Sequence, residues 1–275
     1  MQKINYPLIV SDFDGTLVQS NGEISQKNKD AIKRYTQDGG AFAISTGRMP
    51  SGILPRAKEL GLKGFVSCCQ GAIVMDIESG ETLVEGAMSQ ENAIAVCEKM
   101  EELGLHIHIY DLENFYANMD DEPLKLYEKG VRVKAVRVLD RPLSQFIREK
   151  NLTIYKILMM VEPEKNAFVF QTLTNMHLKD CCVTKSAAYL VEVVNANYSK
   201  GTALKALAKH YQVPIEKTVA IGDQWNDLPM LTCAGVGLAV NNAAKELKER
   251  VITLPRSNEE DAIAYAIEMY GYTEE

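Results

Sequence analysis

TVAIGDQWNDLPM, residues 218–230, joins an apolar run to a glycine and then to Asp223, Asn226 and Asp227. The run from Thr218 to Ile221 reads as a buried strand. Taken alone, the acids and the amide read as the start of a helix, where Asp and Asn are ordinary caps and negative charge suits the first turn. The same arrangement occurs earlier in the chain. In PLIVSDFDGT (7–16) an apolar run is followed by Asp12 and Asp14, with Gly15 allowing the chain to turn away. In AFAISTGR (41–48) a second run is followed by Ser45, Thr46, Gly47 and Arg48. Strands that end in polar loops and alternate with helical patterns predict a parallel sheet with covering helices.

Working outward, ISQKNKDAIKRYTQDGG reads as a helix ended by Gly39 and Gly40, SGILPRAKELGL as a second helix, and GFVSCC as a third strand. AIVMDIESGETLVEG reads as a hairpin turning at ESGE. From about Met88 to Tyr189 the pattern changes. Helices such as SQENAIAVCEKMEELG and EKNAFVFQTLTNMHLK alternate with HIHIYDL, NFYANM, VRVKAVRVL, TIYKILMMV and AAYLVEVV, which read as strands of an antiparallel sheet. The α/β pattern then returns through SKGTALKALAKHYQ, TVAIGD, NDLPMLTCAG, VGLAV, NAAKELKER, VITL and NEEDAIAYAIEMY. The expected organisation is a doubly wound, Rossmann-like α/β core over residues 1–84 and 191–275, interrupted by an α+β domain over 85–190.

The 275 residues carry 30 Lys and Arg against 37 Asp and Glu, a net charge of −7. That balance argues against a surface built for a nucleic-acid backbone. No apolar stretch approaches the roughly 20 residues that cross a bilayer, so neither membrane nor nucleic acid is expected as a partner and the cytoplasm is the expected location. Six cysteines include two vicinal pairs, Cys68 with Cys69 and Cys181 with Cys182, and no C-x-x-C spacing. They are expected as reduced core residues.

Ligands of open parallel sheets collect at the carboxyl ends of the strands. There the sequence places at least three carboxylates, the Thr46 hydroxyl and, just ahead of a helix, Lys200. Grouped carboxylates repel one another unless a cation sits among them, and oxygen-only donors select a hard ion such as Mg2+. A metal beside a lysine and a Thr-Gly turn suits a phosphoryl group, whose oxygens need positive charge as the transition state forms. One aspartate can attack phosphorus to give an aspartyl-phosphate, and a second can protonate the leaving oxygen. Each feature alone has a structural reading: Asp14-Gly15 as a turn, Thr46-Gly47 as a helix cap, Lys200 as a solvated lysine. Their occurrence together, in register with successive strand ends, favours the chemical one.

In this order, DFDGT, STGR, SK and GDQWND resemble the four motifs of the haloacid dehalogenase superfamily of phosphatases. The insertion between the second and third motifs resembles the Cof-type subgroup with a large type IIB (C2) cap, and the likeness extends to GVGLAVNNA and SNEEDAI. The resemblance implies Asp12 as nucleophile and metal ligand, and Asp14 as general acid/base whose backbone carbonyl also faces the metal. It implies Thr46 and Gly47 as the phosphoryl cradle, Lys200 as the cation steadying nucleophile and phosphate, and Asp223 as the remaining Mg2+ ligand. Asn226 and Asp227 would orient the site, and Arg48 is a candidate substrate contact. Two positions depart from the pattern: Gln70 stands where relatives carry Asn, and Asp261-Ala262-Ile263 where they tend to have Asp-Gly-Val.

The expected activity is magnesium-dependent hydrolysis of a small phosphorylated metabolite, with sugar phosphates first and FMN or pyridoxal phosphate as further candidates. The inserted cap would choose the substrate, and the protein would be a monomer or small homo-oligomer. Alternatives are a sugar phosphomutase and, from another class, a non-catalytic phospho-accepting regulatory or binding module. His106 and His108 share a strand face, but with no third ligand in the pattern a structural role is expected.

Overall fold

A computed structural model describes residues 3–273. They form two compact units: the described residues up to Thr46, 54–84 and those from Ser199 onward in the first, residues 47–53 and 85–198 in the second.

The first unit opens with β1 (Leu8–Ser11), α1 (Gln26–Gln37), β2 (Ala41–Ile44) and α2 (Pro50–Glu59), whose first turn belongs to the second unit. Ser25 starts α1 by accepting from the Asn28 amide at 3.1 Å. Next come β3 (Phe65–Cys68), β4 (Ile73–Asp76) and β5 (Thr82–Glu85), a small sheet of their own. The expected third strand of the main sheet thus joins the end of β2 through an isolated parallel bridge, Ser45 to Ser67, rather than through a full ladder.

In the second unit the chain runs through α3 (Gln90–Glu102), β6 (His106–Tyr110), β7 (Phe115–Ala117), α4 (Glu122–Val131), β8 (Val136–Arg137), α5 (Leu143–Lys150), β9 (Lys156–Met160), α6 (Pro163–Asn175), β10 (Cys181–Ala187) and β11 (Leu190–Asn195). Its six strands are ordered β10-β11-β9-β6-β7-β8. Residues 191–198, assigned to the core from sequence, lie here because β11 pairs with β9 and β10. Alternation along the strands gives the sheet two unlike faces. Ile107, Ile109, Ile157, Met159, Val191 and Val193 form the apolar core of this unit. The opposite face carries His106, His108, Tyr110, Lys156 and Glu192. His106 bonds Asp121 at 3.1 Å and faces His108 across 3.0 Å between the two Nε2 atoms, so the histidine pair is a buried hydrogen-bonded element of this face.

VRVKAVRVL does not form one strand. Helix α4 runs on to Val131, Arg132 takes the left-handed conformation after it, and only Val136–Arg137 pairs. Glu128 is the cause: its buried carboxylate accepts from Arg137 Nη1 at 2.6 Å, Lys134 Nζ at 2.8 Å and the Ala135 amide at 2.8 Å. The bond from Arg137 leads in holding its carboxyl down at about 2, below the ordinary 4.5. A lowered folded pKa contributes stability above about pH 4.5 that is lost as pH falls through 2. Glu128→Gln is expected to cost roughly 2 kcal/mol at pH 7. Urea denaturation at stepped pH should show that difference shrinking below about pH 4.5 and mostly gone near pH 2.

The chain re-enters the first unit with α7 (Lys200–His210), β12 (Thr218–Gly222), α8 (Leu228–Cys233), β13 (Val236–Ala239), α9 (Lys245–Lys248), β14 (Ile252–Thr253) and α10 (Ala262–Ala266). Its main sheet has five parallel strands in the order β14-β13-β12-β1-β2. Sequence order departs in opposite directions from β1 and β12, so the switch point lies between those two strands. Of the cysteines, Cys68, Cys69 and Cys97 are buried as expected, whereas Cys182 on the β10 hairpin is exposed, and all six are free thiols. No helix among the described residues is long and apolar enough to cross a membrane.

Candidate active site

Asp12 follows β1 and Asp223 follows β12, one on each side of the switch point. The Asp12 amide donates to Ile221 O at 2.8 Å, which ties the two strand ends together. Gly15 has φ +79°, and a Cβ there would lie 2.6 Å from an Asp223 carboxylate oxygen. Only glycine lets the loop after β1 pass the second carboxylate so closely.

Lys200 Nζ, fully buried, donates to Asp12 Oδ1 and, at 2.6 Å, to Asp227 Oδ1. The other Asp227 oxygen accepts from the amides of Asp223 and Gln224, both at 2.9 Å. Asp223 accepts from Thr16 Oγ1 at 2.8 Å and from Gln224 Nε2 at 3.2 Å. One oxygen from each of Asp12, Asp223 and Asp227 lies within 4.8 Å of the others, and all three residues are buried. The side-chain trio thus includes Asp227, while Asp14, expected to face the metal through its backbone carbonyl, is an exposed residue in the loop after β1. With both oxygens engaged by Lys200 and two amides, Asp227 serves to fix the lysine and the loop. Thr16 and Gln224 stand inside the quoted motifs, yet only their contacts identify them as supports of Asp223.

Three ionised carboxylates against one ammonium would leave two negative charges in a buried space. Burial, then repulsion from Asp227 and Asp223, raises the Asp12 carboxyl well above the usual range although Lys200 opposes the shift. Burial and Asp227 push Asp223 up to about 6. Burial works against the charge on Lys200, but Asp12 and Asp227 outweigh it and raise its pKa. A divalent cation would relieve this excess, and the oxygen-only donor set suits a hard one. Asn226 adds to the fit: its Oδ1 is buried with no partner among the described residues.

The turn after β2 is held by its backbone. Thr46 N donates to Ser67 O at 2.9 Å, and Thr46 O accepts from the Gln70 amide at 3.1 Å. Gln70 sits at φ 61°, ψ 25°, a left-handed conformation that Asn and Gly adopt more readily. Its longer side chain reaches Asn226, whose Nδ2 donates to Gln70 Oε1 at 2.9 Å. That bond gives the departure at position 70 a physical role. Gly71 permits a second close passage, since a Cβ there would meet the Ser199 carbonyl oxygen at 2.2 Å. In the second unit, Arg48 donates to Gly130 O at 3.1 Å and Val131 O at 3.3 Å, so its guanidinium caps the carbonyl end of α4.

A buried carboxylate paired with a lysine and flanked by further carboxylates can present a nucleophile to a phosphoryl group while balancing its charge. Comparison with known proteins points to a hydrolase family. Residues 9–267 match the family model of the haloacid dehalogenase-like hydrolases. Phosphatase YwpJ of Bacillus subtilis (strain 168) is 26% identical over 280 residues, covering 94% of this chain and 97% of that protein. The 5-amino-6-(5-phospho-D-ribitylamino)uracil phosphatase YwtE of the same organism is 27% identical over 281 residues, covering 94% and 96%. Among solved structures, a haloacid dehalogenase-like hydrolase from Bacteroides thetaiotaomicron superposes with a TM-score of 0.85 at 29% identity, covering 96% of this chain and 99% of that one.

Proposed function

Because the chain belongs to the haloacid dehalogenase-like hydrolases and is a phosphatase of that family, we propose that it hydrolyses small phosphorylated metabolites, sugar phosphates foremost, with Mg2+. The observation that carries this reading is the buried Asp12 carboxylate, held by Lys200 within 4.8 Å of two further carboxylates. Asp12 attacks phosphorus and becomes the aspartyl-phosphate, and Lys200 aims the attacking oxygen and opposes its protonation. Asp14 protonates the departing alkoxide and later takes a proton from the water that cleaves the acyl-phosphate. Thr46 and Gly47 receive the phosphoryl oxygens, and Asp227 and Asn226 hold the surrounding groups in place.

Asp12, Asp223 and the Asp14 carbonyl would hold the Mg2+, which when bound supplies positive charge to the phosphoryl oxygens. Residues 85–198, as the substrate-selecting domain, would favour a small alcohol. The ribitylaminouracil phosphatase named above is similar over nearly its whole length and acts on a compact phosphorylated metabolite, which supports that substrate class.

The test is phosphate release from a panel of sugar phosphates, FMN, pyridoxal phosphate and nucleotides, with Mg2+ or with chelator. Turnover over many equivalents that needs Mg2+ and no bisphosphate activator is expected. Stoichiometric phosphorylation without turnover would instead indicate a phospho-accepting module.

A further inference from the structure

We propose that Lys156, on β9, is a positioning residue that fixes the phosphoryl-binding turn by holding the Gly47 carbonyl. The inference rests on the phosphatase reading above. Lys156 is 1% exposed, and its Nζ donates to Gly47 O at 2.7 Å, both residues belonging to the second unit. The ammonium stands 4.3 Å from the centre of the Tyr110 ring. Glu192 is also buried but lies 3.9 Å away, and its near oxygen accepts from Ser186 Oγ at 2.5 Å.

An ammonium out of water needs a partner, and a structural ion pair would close to about 2.8 Å. Here the carboxylate balances the charge from a distance, while the short bond goes to a backbone carbonyl of the turn. In a trans peptide the N–H points opposite to the C=O. Holding Gly47 O therefore fixes the direction of the Arg48 N–H, and a full positive charge at that oxygen polarises the amide as a donor. The preceding peptide is fixed in the same manner, because Thr46 O accepts from the Gln70 amide at 3.1 Å and thereby sets the Gly47 N–H. Two successive carbonyls of the turn are anchored, and their two amides become preorganised donors for phosphoryl oxygens.

The test pairs Lys156→Met/Glu192→Gln, which removes both charges, with Glu192→Gln alone, which keeps the lysine bond. Orthovanadate binding would be measured with Mg2+ by calorimetry, alongside hydrolysis of p-nitrophenyl phosphate and thermal denaturation. The double variant is expected to weaken orthovanadate binding about 10-fold and to lower kcat/KM in parallel. Its melting temperature should stay near that of the wild type, since no buried charge is left unpaired. Glu192→Gln should bind orthovanadate within about twofold of the wild type even where its melting temperature falls. A folded double variant that binds as tightly as the wild type overturns the proposal, and so does a Glu192→Gln loss as large as that of the double variant. A wild type that neither binds orthovanadate nor hydrolyses any phosphomonoester would bring down the phosphatase mechanism itself, a separate result.

Discussion

On the mechanism proposed above, Asp12→Ala is expected to reduce phosphate release by a factor on the order of 10^4 or more, because it would remove the atom that forms the covalent intermediate. Its effect on stability should run the other way. Burial and the neighbouring Asp227 and Asp223 raise the Asp12 carboxyl well above its ordinary range, so its ionised form opposes folding at neutral pH. Lys200 keeps Asp227 at 2.6 Å when Asp12 is gone, so no buried charge is orphaned. In chelator the variant should therefore melt no lower than the wild type, a case of stability given up for a functional group. Phosphate release and thermal denaturation in EDTA check both parts. Residual activity above about one per cent would show that Asp12 is not the nucleophile.

Lys200→Met should damage fold and activity together. It leaves Asp12 and Asp227 buried without their counter-charge, a situation that typically costs about 3–5 kcal/mol. On the proposed mechanism it would also remove positive charge at the reacting phosphoryl group, for which a loss of about 10^3-fold is expected. The two aspartates can escape by taking up protons, so the stability difference should narrow as the pH is lowered. This sign follows from Asp12, whose raised pKa makes its charge least costly at low pH. Chemical denaturation at pH 7 and pH 5 measures the change. A difference under about 1 kcal/mol at pH 7 would mean that the cluster is solvated well enough to tolerate the loss.

The first unit was legible because each strand end there carries its own chemistry. Apolar runs ending in Asp12, Thr46 and Asp223 give both the parallel sheet and the edge on which these groups lie. The second unit was less so. Helices α4 and α5 and strand β10 carry no such strand-end signal, and VRVKAVRVL looks extended because it alternates, whereas Lys134, Ala135 and Arg137 turn back to the buried carboxylate of Glu128 on the preceding helix. The domain boundary at 190 failed for a related reason, since no local feature of LVEVVN tells which sheet it joins. Within the site, composition marked the aspartates but did not rank them. Only geometry shows that Asp227 enters the carboxylate group, that Asp14 is exposed, and that Arg48 caps a helix. Lys156 gave no signal at all, being one lysine at the start of an apolar strand.

The double duty of Asp227 bears on how inactive forms of this enzyme should be made. One oxygen steadies Lys200 while the other closes the turn that leads into α8. A change at 227 would thus mix a chemical defect with a folding defect, and binding measured on such a variant would report both. Among the described residues no backbone turn rests on the Asp12 carboxylate, which bonds Lys200, so position 12 is the place for a substrate-trapping variant.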